Sequence, residues 1–176
     1  MEIHKLSTAY KVSVLSESDI PTILSLCQKN PQYYRYCPPA VSDESIRNDM
    51  QALPEGKPAA DKYYLGFWND TRLIAVMDLI MAYPDKETAF IGFFMMNMDM
   101  QGKGIGSKII EEACDYLKEQ FSFIRLGVVE GNKQAEHFWR KNGFVPTGQI
   151  TQTKEYRIVG MKKALSCSLL CGKTRT

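Results

Sequence analysis

Residues 96–107 read MNMDMQGKGIGS, and the glycines at positions 102, 104 and 106 alternate with other residues. The run 88–97 that leads into this segment is largely apolar, which predicts a strand buried on both faces. After Gly106, apolar residues recur with the period of an amphipathic helix. The segment is therefore predicted to be a tight turn that leads from a buried strand into a helix.

The alternating glycines predict an anion site at this turn. Without a Cβ atom, their backbone can turn sharply and approach a ligand closely. Free N–H groups and the positive end of the following helix suit a pyrophosphate. The spacing is G-x-G-x-G, which differs from the dinucleotide fingerprint G-x-G-x-x-G, and a P-loop would need glycine at Asn97. A tight turn without a ligand is the alternative that this segment alone leaves open.

The rest of the chain predicts a single α/β (α+β) domain over residues 1–165. Expected strands are 11–15, 63–68, 73–81, 88–97, 123–129, 144–146 and 153–162. Expected helices begin near Asp19, after Ser42, at Gly106 and after Asn132, the first burying Leu24 and the second running over 43–53. A Tyr/Pro-rich loop is expected at 33–39. This order predicts a central mixed sheet flanked by about four helices, and a disordered tail over 166–176.

Composition excludes several classes of protein. The formal net charge is +2, from 22 basic and 20 acidic residues that are scattered along the chain, so neither a nucleic-acid nor a membrane partner is expected. The N-terminus lacks the pattern of a signal peptide, so we expect a cytoplasmic protein. The five cysteines have irregular spacing and are expected to be free thiols, and Cys167 and Cys171 have no second Cys or His pair to complete a zinc site. No metal is expected.

A second motif, NKQAEHFWRKNGF at 132–144, follows one predicted helix and one predicted strand later. Gln101-x-x-Gly104-x-Gly106 resembles the pyrophosphate loop of the GNAT N-acetyltransferase superfamily. The second motif resembles the second signature of that family, and the spacing between the two motifs is also the family's. The resemblance covers about residues 10–163. It implies the GNAT-type acyl-CoA N-acyltransferase fold, with a sheet splayed near residues 96–98.

The resemblance further implies acetyl-CoA as cofactor and a primary amine as acceptor, with direct attack through a tetrahedral intermediate. The family's pyrophosphate loop corresponds here to Gln101, Gly102, Lys103, Gly104, Ile105, Gly106 and Ser107. Backbone groups of Met96 and Met98 would pair with the pantetheine arm as an added strand, and the Met96 N–H would polarise the thioester carbonyl. Asn132 would reach the cofactor from its helix, and Ala135 and Phe138 would pack beside it, although ordinary core packing explains these two equally well.

The acid and the base are not identified by the resemblance. Many family members place a tyrosine as acid where this chain has Trp139, whose indole cannot act as an acid at neutral pH. Many also carry a carboxylate midway along the strand before the loop, and this strand has none. Glu87 at the start of that strand and Asp78 on the preceding one are the nearest candidates for a base, acting directly or through water. Solvated or structural carboxylates are the alternative for both.

The acceptor site and the function each leave alternatives open. In this family the acceptor pocket lies between the first helices and the last strands, which implies Tyr33, Tyr34, Tyr36 and Tyr156 as aromatic walls. A structured Tyr/Pro-rich loop without a ligand fits equally well. The acceptor is a small-molecule or peptide amine, and a homodimer is the default assembly. The alternatives to an acetyltransferase are a non-catalytic acyl-CoA-binding regulatory module and a nucleotide-binding enzyme.

Overall fold

The computed structural model describes residues 1–165, which form a seven-stranded mixed sheet covered by helices on both faces. The strands are β1 (Lys11–Val14), β2 (Lys62–Asn69), β3 (Arg72–Ile80), β4 (Thr88–Met96), β5 (Phe123–Val129), β6 (Val145–Gln152) and β7 (Arg157–Ala164). The α-helices are α1 (Ile20–Gln28), α2 (Pro31–Tyr36), α3 (Asp43–Gln51), α4 (Ile105–Leu117) and α5 (Lys133–Lys141). The strand order is β1-β2-β3-β4-β5-β7-β6. The predicted mixed sheet flanked by helices is confirmed.

The side chains of β3 and β4 alternate between two separate hydrophobic cores. Met77 and Met96 belong to the core that α4 and α5 cover, where Ile109 and Trp139 are buried. Val76 and Met95 belong to the core on the opposite face, which α1 and α3 cover. Because successive side chains of a strand point to opposite faces, the near-continuous apolar runs of β3 and β4 supply both cores.

The sheet opens between β4 and β5. These two strands are parallel and pair from Thr88 with Phe123 to Ile91 with Leu126, and no further. From Gly92 onward, β4 has no partner on that side among residues 1–165, whereas β5 continues to Val129 paired with β7 alone. The predicted splay of the sheet is therefore present, but it begins at Gly92, earlier than the expected residues 96–98.

Local predictions were wrong at several element ends. Residues 31–36 form α2 instead of a loop, because Pro31 occupies a first-turn position, where its fixed φ and missing N–H suit a helix. On α1 Leu26 is buried, and Leu24 is only partly so. Helix α3 ends at Gln51, before the expected Leu53. Strand β6 is longer than predicted. All of its residues are exposed at the edge of the sheet, so its sequence lacks the apolar pattern from which a strand is predicted.

The cysteine prediction is confirmed for the described residues: Cys27, Cys37 and Cys114 are free thiols. Cys167, Cys171 and the tail 166–176 lie outside those residues, so the predictions about them stay predictions. Among residues 1–165, no helix has the length and apolar character needed to cross a membrane.

Candidate active site

The glycine segment forms the turn into α4, as predicted. Gly102 and Gly104 adopt φ angles of +73° and +78°, and nothing lies within 4 Å of a Cβ atom added at either position. Gly104 is the N-cap of α4, and the Lys108 N–H donates to its carbonyl oxygen. The N–H groups of residues 105–107 therefore precede the first bond of the helix and point out at its positive end. N–H groups exposed at the positive end of a helix are able to bind an anion.

The turn packs against the end of β4 and against α5. Gly106 is buried, and a Cβ atom at this position would lie 3.2 Å from Phe138 Cε2 and 3.4 Å from Met96 Cγ. Glycine is therefore needed here for close approach of the helix to the strand. Three predicted cofactor residues, Met96, Gly106 and Phe138, meet at this point although they belong to three separate elements.

The backbone of Met96 faces the gap between β4 and β5. The Asn97 N–H donates to the Ile74 carbonyl oxygen on β3 at 2.8 Å. Because N–H groups alternate in direction along a strand, those of Met96 and Phe94 point away from β3, into the gap. Strand β4 ends at Met96, and Met98 lies in a 3₁₀ turn with an exposed side chain. Met98 therefore lies beyond the strand edge that faces the gap, and its pairing with the pantetheine arm stays a prediction.

The residues of α5 that were predicted to contact the cofactor also cap the helix or pack in the core. Asn132 is buried, and its side-chain oxygen accepts from the Ala135 N–H at 3.1 Å, which caps the helix. The Phe138 ring stacks on Phe94 at 5.9 Å. Trp139, at the position where the resemblance places an acid, is 7% exposed and packs edge-on against Phe144.

Asp78 lies on the α1–α3 face of the sheet, beside the point where the gap opens. It pairs with Phe93, whereas Leu79 pairs with Ile91, so Gly92 is an extra, bulged residue in β4. A Cβ atom at Gly92 would lie 2.5 Å from Asp78 Oδ2. The glycine therefore leaves room for a carboxylate from the neighbouring strand, where β4 itself carries none.

Asp78 is buried, with one ion pair. Its Oδ2 accepts from Lys62 Nζ at 2.8 Å, and its Oδ1 is buried without a hydrogen-bond partner in the described part of the chain. Burial raises the pKa of Asp78, and the hydrogen bond and charge of Lys62 oppose that rise. Desolvation followed by the charge of Asp78 raises the pKa of Asp49, and desolvation followed by the charge of Asp49 raises the pKa of Tyr64.

Glu87 is not brought into this site. It is exposed and precedes β4, and its backbone carbonyl accepts from the N–H groups of Ser122 and Phe123. The nine residues of β4 then separate it from the strand end at Met96, about 30 Å at the usual rise of a strand. Of the two predicted bases, only Asp78 lies near the gap.

The predicted acceptor residues separate into two groups. Tyr33 packs edge-on against Phe93 at 5.7 Å, and the Cys37 thiol donates to the Tyr156 hydroxyl at 3.4 Å, which joins α2 to the turn between β6 and β7. Burial raises the pKa of Tyr33, and the hydrogen bond with Cys37 raises the pKa of Tyr156 to about 12.

The other two tyrosines face elsewhere. Burial, with a hydrogen bond to the Cys27 thiol, raises the pKa of Tyr34, so this ring faces the α1 core. Tyr36 is partly exposed at the end of α2. Tyr33 and Tyr156 are therefore the two predicted tyrosines that meet at Cys37, and Tyr33 also contacts Phe93.

Sequence reasoning missed Gly92, Phe94 and Asn30. Gly92 is a lone glycine in an apolar strand, a pattern that can signal a bulge. Asn30 follows α1, and its side-chain N–H donates to the Met96 carbonyl oxygen at 3.1 Å. No sequence signal connects Asn30 to a residue so far along the chain.

Residues 25–144 match the family model described as the acetyltransferase (GNAT) family. The chain belongs to the GNAT acetyltransferase family. Among the curated proteins, none matches this GNAT sequence.

Solved structures share the GNAT fold at low sequence identity. An acetyltransferase from Thermus thermophilus superposes with a TM-score of 0.72 at 18% identity, over 89% of this chain and 97% of that one. The Salmonella typhimurium acetyltransferase that modifies the N-terminal serine of ribosomal protein L7/L12 gives 0.71 at 16%, over 92% and 98%. A Vibrio cholerae spermidine N-acetyltransferase in complex with CoA and spermine gives 0.66 at 19%, over 90% and 97%. These likenesses establish the fold of this family member.

Proposed function

We propose that this protein is an acetyl-CoA-dependent N-acetyltransferase that acts on a primary amine by direct attack, with no covalent enzyme intermediate. The observation that carries the proposal is the gap between β4 and β5, into which the Met96 backbone faces beside the N-terminus of α4. An extended chain with an anionic end fits such a gap, because one part meets a free strand edge and the other meets helix N–H groups. The CoA complex of the Vibrio cholerae relative supports this choice of ligand.

The cofactor would be held mainly by backbone groups. Residues 101–107 would bind the pyrophosphate, chiefly through the N–H groups that follow Gln101, and Met96 would pair with the pantetheine arm. Asn132, Ala135 and Phe138 would line the α5 side, next to the capped start of that helix. Bound acetyl-CoA supplies an activated acetyl group as a thioester. The N–H group of Met96, which faces the gap, would polarise its carbonyl.

Asp78 would remove the proton from the acceptor amine, directly or through one water. An alkyl amine has a pKa near that of lysine, about 10.4, so the reactive neutral form must be generated in the site. Asp78 has an oxygen without a partner among the described residues and lies beside Gly92, where the gap begins. Because Trp139 is buried and cannot donate a proton, the CoA thiolate would leave unassisted.

The acceptor would bind on the α1–α3 face, between Tyr33 and Tyr156. Aromatic rings attract an ammonium group by cation–π contact, and the Tyr33 ring contacts Phe93, the residue that pairs with Asp78. Relatives of the same fold act on spermidine and on a protein N-terminus, so the acceptor class is a small-molecule or peptide amine. The near-neutral net charge favours an acceptor with few positive charges.

Thermal melting in the presence of acetyl-CoA, CoA, ATP or NAD tests the proposed cofactor. A ligand that binds only the folded protein raises the melting temperature by mass action. We expect acetyl-CoA and CoA alone to do so, and thiol release to follow when amines are supplied. A shift with ATP or NAD instead of CoA would contradict the proposal.

The buried Trp139 favours one second candidate, the acyl-CoA-binding regulatory module. A regulatory module of this kind would bind acetyl-CoA but would not release CoA thiol when an amine is supplied. The melting experiment and the thiol assay therefore separate the two functions.

A further inference from the structure

Asn30 joins the acceptor helices to the cofactor segment. It lies between the last residue of α1, Gln28, and the first residue of α2, Pro31. Its backbone N–H donates to the Cys27 carbonyl oxygen at 2.9 Å, and its own carbonyl oxygen accepts from the Tyr33 N–H at 3.1 Å. The backbone of Asn30 is therefore held at both ends.

The side-chain amide of Asn30 contacts three separate elements. Its Nδ2 donates to the Leu26 carbonyl oxygen on α1 at 2.9 Å and to the Met96 carbonyl oxygen on β4 at 3.1 Å. Its Oδ1 accepts from Gln101 Nε2 of the glycine segment at 2.7 Å. A primary amide has two N–H donors and one oxygen acceptor, so all three groups are engaged.

These bonds orient the peptide group at the end of β4. The N–H of the Met96–Asn97 peptide donates to Ile74 on β3, and its carbonyl oxygen accepts from Asn30 on the gap side. The peptide plane is thus held from both edges. Gln101 Nε2 reaches the same carbonyl oxygen at 3.4 Å, so Asn30 also determines where the Gln101 side chain lies.

We propose that Asn30 is a positioning residue for CoA binding, which orients the free edge of β4 and the glycine segment relative to each other. The inference rests on the proposed function, because it assumes that Met96 and residues 101–107 hold CoA. A carbonyl oxygen can accept two hydrogen bonds, so Met96 keeps one acceptor direction for the pantetheine arm while Asn30 occupies the other. The long contact from Gln101 is the one that the ligand would replace.

Isothermal titration with CoA tests the inference on Asn30→Ala, Gln101→Ala and the double variant. We expect each single substitution to raise the Kd about 10-fold, the effect of one or two lost hydrogen bonds. The double variant should bind about as weakly as the weaker single variant, because both substitutions break one network. The matched control is Asn48→Ala, an exposed asparagine on α3, with an unchanged Kd.

Asn30→Asp keeps the shape of the side chain and the oxygen that accepts from Gln101, but it places an oxygen against the Leu26 and Met96 carbonyl oxygens. We expect its Kd to rise at least as much as that of Asn30→Ala and its melting temperature to fall, so each variant is titrated well below its own melting temperature. Wild-type affinity in a folded Asn30 variant, or additive losses in the double variant, would overturn the inference. Absence of CoA binding by the wild-type protein would instead overturn the proposed function itself.

Discussion

The two sides of the gap are built in different ways. The cofactor side is built mainly from one continuous stretch, residues 96–107, whose groups are mostly backbone N–H and C=O, with α5 beside it. The acceptor side consists of side chains from α2, β3, β4 and the turn before β7. A site made of backbone groups depends on conformations that glycine and helix caps impose locally. A site made of side chains depends on how distant segments pack.

The two sides also differ in their titratable groups. Asp78, Tyr33 and Tyr156 all have pKa values raised by burial or by a hydrogen bond, and all lie on the acceptor side. The N–H groups at the start of α4 do not titrate. We therefore expect CoA binding to respond to backbone conformation, and turnover to respond to pH and to charge.

The largest effect should come from removing the acceptor-side carboxylate. Asp78→Asn should lower kcat/KM by roughly 100- to 1000-fold, the usual contribution of a general base, and leave the Kd for CoA unchanged. Steady-state kinetics with titration of CoA measures both. Glu87→Gln is the matched control, because this exposed carboxylate should have no effect. Full activity in a folded Asp78→Asn variant would remove Asp78 from the mechanism.

On the cofactor side we expect a loss of affinity for CoA. Gly104→Val should raise the Kd for CoA roughly 10- to 100-fold, because a β-branched residue is strained in the left-handed region and its side chain blocks the backbone N–H groups. Gly56→Val is a control for strain, since Gly56 has the same φ of +78° with nothing within 4 Å of an added Cβ. Equal affinities in the two variants would show that the turn does not contact CoA.

The pH dependence of turnover should shift when Lys62 is replaced. Lys62 lowers the pKa of Asp78 against the effect of burial, so Lys62→Met should raise that pKa further. Since the base must be ionised, activity falls as the pH drops through its pKa. The acid limb of kcat/KM should therefore move to higher pH, by about 1 unit. Lys57→Met, which removes the ion pair with Asp61, should leave the limb in place.

The smallest effect is expected at Asn132, which caps α5 and is also proposed to contact CoA. Asn132→Asp keeps the oxygen that caps α5, so the melting temperature should stay close to the wild-type value. Its carboxylate cannot donate a hydrogen bond and repels an anionic ligand, so we expect the Kd for CoA to rise several-fold. An unchanged Kd would make Asn132 a helix cap alone. Asn132→Ala should cost about 1 kcal/mol of stability.

Much of the fold could be predicted because its signals are local. The strand 123–129, the start of α4 and the cap at Asn132 lie where the sequence predicts them. Errors fell where short-range patterns are weak. One is the exposed edge strand β6, which lacks an apolar period. The other is α2, where Pro31 and the following tyrosines are typical of a loop as well as of a first helical turn.

By itself, the sequence determined the family, the turn at residues 101–107 and the order of the elements other than α2. These follow from residues within a few positions of each other, where backbone conformation is set. The tertiary structure alone decided that Asp78 lies beside Gly92 and that Tyr33 and Tyr156 lie on one side of the gap. It also decided that Asn30, 66 positions before Met96, holds the carbonyl of that residue. Such contacts depend on strand register and on a single bulge, since a shift of one residue would turn every side chain to the other face.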